Sequence, residues 1–232
     1  MIKYNQRELS DQLVDAYNYT HSTGMSPSRP FSKGSPIHLE IIKKIFNFAN
    51  ADCKFLDVSI GYGHISRVLV KNKFDVYGVL TSRFNTGFFE HYKNTGIKIL
   101  DAEVETGKID LPDEFIDIVY WGATIEHMPN SPKHPLDEMY RVLKPGGRLL
   151  CLEFSKVKNE ILNRFYKIYS KSIPQIGRFI VGNVEPYEYL INSIEEFYSQ
   201  EELLELLMKN NFTNLSFRNL SGGIVAIHSA WK

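Results

Sequence analysis

At 232 residues, with 43% hydrophobic and 23% charged side chains, the chain has the composition of a folded globular protein, which excludes disorder and fibrous repeats. Its 27 Lys and Arg balance 27 Asp and Glu, so the formal net charge is zero and no basic run offers the footprint of a nucleic-acid binder. Its two cysteines, Cys53 and Cys151, are too few for a disulfide framework, and the polar start MIKYNQRELSDQ lacks the pattern of a secretory leader. No stretch reaches the ~18 apolar residues of a membrane span. The expected setting is the reducing cytoplasm, with peripheral contact at a membrane left open.

Within residues 1–19, Leu9, Leu13, Ala16 and Tyr17 recur at helical spacing and predict a short amphipathic helix. The stretch GMSPSRPFSKGSP is a loop that ends on Ser35 as a cap and Pro36 at the first helical position. Ile37, Ile41, Ile42, Ile45 and Phe46 then make the apolar face of a second helix. Beyond it, short apolar runs at 54–58, 74–79, 97–100, 116–121 and 148–154 alternate with helical segments near 63–71, 83–93 and 132–143. That alternation predicts βαβ units and a parallel sheet. Lys144-Pro145-Gly146-Gly147 should close the third of those helices. After 154 come a helix near 158–171, an irregular segment bearing Pro and Gly, a helix at 200–209, and strands at 214–220 and 222–231. Only Ser221 and the glycines separate the last two, the signature of an antiparallel hairpin. The expected fold is α/β, with a mainly parallel seven-stranded sheet whose antiparallel last strand lies beside the fifth.

In a doubly wound sheet the ligand sits beyond the carboxyl ends of the strands, so the turn after the first strand carries the functional expectation. That turn reads Asp57-Val58-Ser59-Ile60-Gly61-Tyr62-Gly63-His64. Gly61 and Gly63 let the backbone approach a ligand, the next helix offers free N–H groups, and Asp57 offers a carboxylate. The third glycine of the dinucleotide fingerprint and the Gly-Lys-Ser/Thr of a P-loop are both missing, which argues against NAD and ATP. His21, His38, His91, His134 and His228 share no metal-ligand spacing with one another, so no metal site is expected.

Taken in order, FLDVSIGYGH, DAE, LPDEFIDIVYW, the pair Glu126-His127 and EMYRVLKPGGRLLCLEFS resemble the motif series of class I S-adenosylmethionine-dependent methyltransferases, which have a Rossmann-like fold. IPQIGRFIVGN, PYEYLINSIEEFYSQEELLELLMKNNF and NLSGGIVAIHSAWK are similar to the ubiquinone/menaquinone biosynthesis C-methyltransferases. The resemblance implies S-adenosyl-L-methionine as cofactor and a small-molecule acceptor, a polyprenylated quinone precursor, methylated at carbon. It divides the chain into an extension of helix and loop, 1–36, and one methyltransferase domain, 37–232, in which 155–200 form a substrate-side insert or lid.

Carried onto this sequence, the motifs assign Asp57, Ser59, Gly61 and Gly63 to the methionine end of the cofactor and Asp101 and Ala102 to its adenine. Leu80 and Thr81 would border the ribose, and Trp121 and Gly122 would line the pocket at the end of the fourth strand. Leu80 departs from the family, which places there an acidic residue that accepts from the ribose diol; leucine cannot accept, and Thr81 is the weaker substitute. The quinone enzymes' Phe-Gly-x-Arg-Asn segment is likewise replaced by Ala123-Thr124-Ile125-Glu126-His127. Carbon methylation of a phenolic ring needs a base for the neighbouring hydroxyl, and motif position assigns His127 and Glu126. Phe165, Arg178, Tyr187, Tyr189 and Ser193 are expected around the acceptor, where aromatic side chains suit a ring. Two alternatives stay open: methylation of another small metabolite, favoured by Glu126-His127, and a silent methyltransferase-like partner, favoured by Leu80. A homodimer and a contact within a biosynthetic complex are open as well.

Overall fold

Period-2 apolar runs and period-3.6 helical faces give this chain a layered architecture, because each element must bury its apolar side against the next. The structure is a computed structural model describing residues 2–23, 35–50, 52–81, 87–125, 128, 131–181, 193–195 and 197–232, with the backbone alone at 87–88 and 171–181. Helix α1 (Gln6–Ser22) starts on Asn5, whose side chain accepts from the backbone N–H groups of Arg7 and Glu8, and α2 (Pro36–Phe48) starts on Ser35 with Pro36 at its first position. Strand β1 (Lys54–Asp57), α3 (His64–Lys71), β2 (Asp75–Leu80), α4 (Gly87–Tyr92), β3 (Lys98–Asp101) and β4 (Ile116–Gly122) follow. Next come α5 (Lys133–Val142), β5 (Leu143–Phe154), α6 (Glu160–Val181), α7 (Gln200–Lys209), β6 (Thr213–Leu220) and β7 (Val225–Trp231).

The seven strands form one sheet in the order β3-β2-β1-β4-β5-β7-β6. Pairings β1 with β2 and β4, β2 with β3, and β4 with β5 are parallel, while β7 runs antiparallel to both β5 and β6. The mainly parallel seven-stranded sheet with its antiparallel last strand beside the fifth is thus as expected, and the order reverses between β1 and β4, where a ligand crevice opens. On one face α1, α2 and α3 pack Leu13, Ile41, Ile45, Phe46 and Val68 against Phe55 and Tyr120. On the other, α5 and α7 pack Leu136, Met139, Leu203 and Leu207 against Leu56, Val119 and Trp121. Because α1 supplies Leu9, Leu13, Ala16 and Tyr17 to the first cluster, the buried face of this helix is part of the core.

Two elements differ from the periodicity. Leu143 already pairs with Ile116 before the register jumps at Ile118↔Arg148, so the Pro-Gly-Gly turn is a bulge within β5 rather than a gap before it. Gly146 holds φ +74° there, and its N–H donates to the Lys232 carbonyl, 3.1 Å, fastening the chain end. Helix α6 also runs ten residues past the expected end at 171. Pro174 removes one backbone donor, yet Ile176 and Ile180 beyond it continue the helical period of Ile173.

Candidate active site

The turn after β1 is held from three sides. Val58 N–H donates to the Tyr120 carbonyl, 2.9 Å, and the Ser59 hydroxyl donates to the Gly122 carbonyl, 2.9 Å, so the turn is tied to the end of β4. From α4, the Tyr92 hydroxyl donates to the Gly61 carbonyl at 2.5 Å. Ile60 packs down onto Gly78 of β2, which pairs with Asp57 of β1; a Cβ at Gly78 would lie 2.3 Å from the Ile60 side chain. The turn is thus rigid before any ligand arrives, the condition for a site that orients rather than moulds.

The two glycines of the turn have different tasks. Gly61 sits at φ +48°, and a Cβ there would find no atom nearer than the Ser59 carbonyl oxygen at 3.8 Å, so its missing side chain leaves open space. Gly63 sits at φ +65° as the residue before α3, and a Cβ there would lie 2.8 Å from the Tyr92 hydroxyl. Its smallness serves packing of α4 on α3.

A cavity of about 550 Å³ opens past the carboxyl ends of β1, β2, β3 and β4. Of the residues expected at the cofactor, Ser59, Gly61, Leu80, Thr81 and Ala102 line it. Asp57, Gly63, Asp101, Trp121 and Gly122 stand behind or beside that wall. Trp121 is the largest fully buried side chain, 0% exposed among the apolar residues under α5, so it is core where a pocket lining was expected. Gly122 contributes its carbonyl, which accepts from Ser59 and from the Thr124 hydroxyl, 2.9 Å each. Asp101 is the exposed last residue of β3.

Asp57 is 3% exposed; its Oδ2 accepts from the Ser66 hydroxyl at 2.7 Å, and its Oδ1 is buried without a hydrogen-bond partner. Burial pushes its carboxyl up to about 7, against the opposing pull of Ser66 and the Ser59 backbone. An orphaned buried acceptor beside the open space at Gly61 fits a ligand that brings a cation and a polar chain to this turn.

The cavity also gathers residues that strand motifs do not reveal. Glu103 and Glu105, from the connection after β3, and Thr124 and Met128, from the connection after β4, join its wall. Glu153 on β5 receives the backbone N–H groups of Thr124 and Ile125 at 3.1 and 3.2 Å, which pins the start of the second connection. The signal for Glu153 was its charge within the apolar run RLLCLEF, since a buried carboxylate needs donors. Glu126 and His127 follow directly and lie outside the described residues.

A second cavity, about 240 Å³, lies past the end of β5 under α6, lined by Ser155, Lys156, Asn163, Tyr166, Ser170 and Ile194 among others. Ser193, expected at the acceptor, is half-buried next to Ile194. Phe165 is 67% exposed on the outer side of α6 and lines neither cavity, a correction to its expected place: Tyr166 and Ser170 hold the inner face. Tyr187 and Tyr189, and the Arg178 side chain, lie outside the described residues.

Beside the glycine turn, α1 covers a group of histidines. Tyr17 Oη and His38 Nδ1 are 2.7 Å apart, Thr20 Oγ1 and His64 Nε2 are 3.2 Å apart, and the Tyr17 and His64 rings meet edge to face at 4.4 Å. Burial, with His38 nearby, drives His64 down to about 3, which keeps it neutral near pH 7. It packs between the turn and α1 and does not line the cavity.

Strand order, glycine turn and cavity together define the S-adenosylmethionine-dependent methyltransferase class, and solved structures share the architecture. A methyltransferase of that dependence from Aquifex aeolicus superposes with a TM-score of 0.58 over 99% of both chains at 19% identity. The Haemonchus contortus phosphoethanolamine N-methyltransferase 2, solved with S-adenosylhomocysteine, gives 0.62 over 99% of this chain and 60% of its own at 13% identity. More particularly, the chain belongs to the ubiE/COQ5 methyltransferase family, which it matches over residues 37–232. It is 39% identical over 205 residues to the ubiquinone/menaquinone biosynthesis C-methyltransferase UbiE of Rickettsia bellii, covering 83% of this chain and 80% of that one. The UbiE of Rickettsia prowazekii is 39% identical over 200 residues, 81% and 79% of the two chains.

Proposed function

We propose that the protein transfers a methyl group from S-adenosylmethionine to a ring carbon of a polyprenylated quinone precursor. The observation that carries this reading is the family match across 37–232, joined to a cavity at the β1 turn that fits the cofactor. When bound, the sulfonium supplies an already activated methyl group, so the enzyme's work is alignment at ~3–3.5 Å and exclusion of water. The Gly61 backbone and the buried Asp57 carboxylate would hold the methionine end, and Ala102 would border the adenine. Glu103 and Glu105 bring to the same cavity the carboxylates that Leu80 cannot supply for the ribose diol. The acceptor would occupy the cavity beneath α6, near Ser193. His127, supported by Glu126, would take the hydroxyl proton that activates the ring and leave the ring-carbon proton to solvent after transfer.

Purified enzyme incubated with S-adenosylmethionine and a demethylated prenyl quinol should yield the carbon-methylated product by mass spectrometry, and His127→Ala should lower kcat far more than KM. Cofactor binding without any methylated quinol would redirect the acceptor to another small metabolite, the reading that Glu126-His127 favours. No cofactor binding by calorimetry would leave the silent partner reading.

A further inference from the structure

From the amphipathic build of α6 we infer that this helix docks the enzyme on the surface of an anionic lipid bilayer, its outer apolar stripe in the headgroup region and the acceptor cavity directly beneath. The inference rests on the proposed lipid-tailed acceptor, and deepens it by naming the surface from which that acceptor is drawn.

Ile161, Phe165 and Ile168 are 71%, 67% and 61% exposed. Their spacing of four and three residues sets them within roughly 60° of arc on one side of a helix that turns about 100° per residue. Tyr169, also 61% exposed, flanks the row on the same helix, and among the described residues no other element exposes several large apolar side chains in one row; those elsewhere, such as Met208 and Phe48, are scattered singly. A continuous exposed apolar row is costly in water and marks a docking surface.

Charge selects the occupant. The chain as a whole is neutral, yet residues 156–171 contain Lys156, Lys158, Arg164, Lys167 and Lys171 against the single acid Glu160. Lys158 is engaged by Glu201 and Lys156 by the Glu195 carbonyl, while Arg164 is exposed at the edge of the stripe and Lys167, exposed as well, stands at the rim of the cavity on the other side of the helix. Apolar side chains bordered by cations are the pattern of a helix that lies in the plane of an anionic membrane surface. A protein partner would want the same row but has no need for the basic border.

Placement supplies the functional link. The inner face of α6 contributes Asn163, Tyr166 and Ser170 to the 240 Å³ cavity past β5, so one helix faces lipid on one side and the cavity on the other. Docked in this way, the enzyme needs to lift only the ring of a membrane-held acceptor, leaving its tail in the bilayer.

The test is co-sedimentation of the full chain with vesicles of phosphatidylglycerol and phosphatidylcholine, against vesicles of phosphatidylcholine alone. Wild type should bind the anionic vesicles at least about tenfold more tightly, and added salt should weaken that binding. Ile161→Gln with Ile168→Gln, both exposed and both compatible with a helix, should reduce binding about tenfold or more with an unchanged thermal midpoint; Arg164→Glu should do so through charge. Methylation of an acceptor embedded in vesicles should fall in the same variants while that of a short-tailed soluble acceptor holds, which separates failure of docking from failure of the quinone reading. Wild type that ignores anionic vesicles, or variants that bind them equally, would overturn the inference. So would light scattering that shows a dimer split by the double Gln variant, since the stripe would then serve a second copy.

Discussion

Gly61 and Gly63 look alike in the sequence, and a matched pair of substitutions separates their roles. Gly61→Ala meets open space but places a Cβ at φ +48°, so it should cost about 1–2 kcal/mol of stability and weaken cofactor binding by about tenfold or more while the fold persists. Gly63→Ala drives a methyl into the Tyr92 ring and should lower the thermal midpoint further, with its binding defect following from the loss of the turn. Calorimetry beside thermal unfolding distinguishes the two; equal midpoints would contradict the assignment. Leu80 is half-buried against the cluster under α1 and α3, and also borders the cavity. Leu80→Asp should therefore do two opposing things: lower the midpoint through a desolvated carboxylate, and tighten cofactor binding by ~1–2 kcal/mol through a charge-assisted hydrogen bond to the ribose diol. Unchanged affinity in a folded variant would mean that Glu103 and Glu105 already serve the diol.

Among the elements, α1 carries more weight than its position outside the family match at 37–232 suggests. Leu13 is wholly buried between α2 and α3, so Leu13→Ala should destabilise the protein by about 2–5 kcal/mol, measured by urea unfolding. Its buried tyrosine and threonine also face His38 and His64, so a shift of α1 should loosen the glycine turn, and the same variant should bind cofactor more weakly. A change below about 1 kcal/mol would mark α1 as an appendage after all. The apolar spacing of Leu9, Leu13 and Ala16 made the helix legible; that it seals the core and borders the active turn was not, because periodicity says which face is apolar and not what that face meets.

At the scale of the molecule, buried titratable groups set the response to pH. Burial holds His64 down to about 3 and His228 down to about 4, and lowers His38 and His91 as well. In the unfolded chain these histidines take up protons as pH falls through about 6.5, whereas the native ones do so only at lower pH, so stability is lost from about pH 6.5 downward. Asp57 acts in the opposite sense: the native carboxyl keeps its proton up to about 7 while the unfolded one releases it near 3.9, so its contribution weakens as pH rises across that window. Four histidines outweigh one carboxyl, and the thermal midpoint should drop by roughly 5–10 °C between pH 7 and pH 5. Asp57→Asn, which removes the opposing contribution, should make the drop steeper; a midpoint that rose toward pH 5 would refute the balance.

The mainly parallel seven-stranded sheet, the antiparallel β7 beside β5 and the position of the glycine turn were legible from local pattern, since alternating apolar periods and the Ser221 hairpin leave few arrangements, whereas the full strand order came only from the structure. Family resemblance through FLDVSIGYGH and the C-terminal segments pointed to the same enzyme class. What pattern could not supply was the direction each residue faces across the fold. Trp121 and Phe165 are both large aromatics expected at a ligand, yet one is buried under α5 and the other faces outward from α6. Glu103 and Glu105 reach the cavity because β3 ends beside β2, and Glu153 pins the β4 connection because β5 lies next to β4. Sequence determined the elements and their order because these follow from short-range sterics and apolar periodicity. Tertiary structure decided which side chains share the cavity, because that depends on strands brought together from distant parts of the chain.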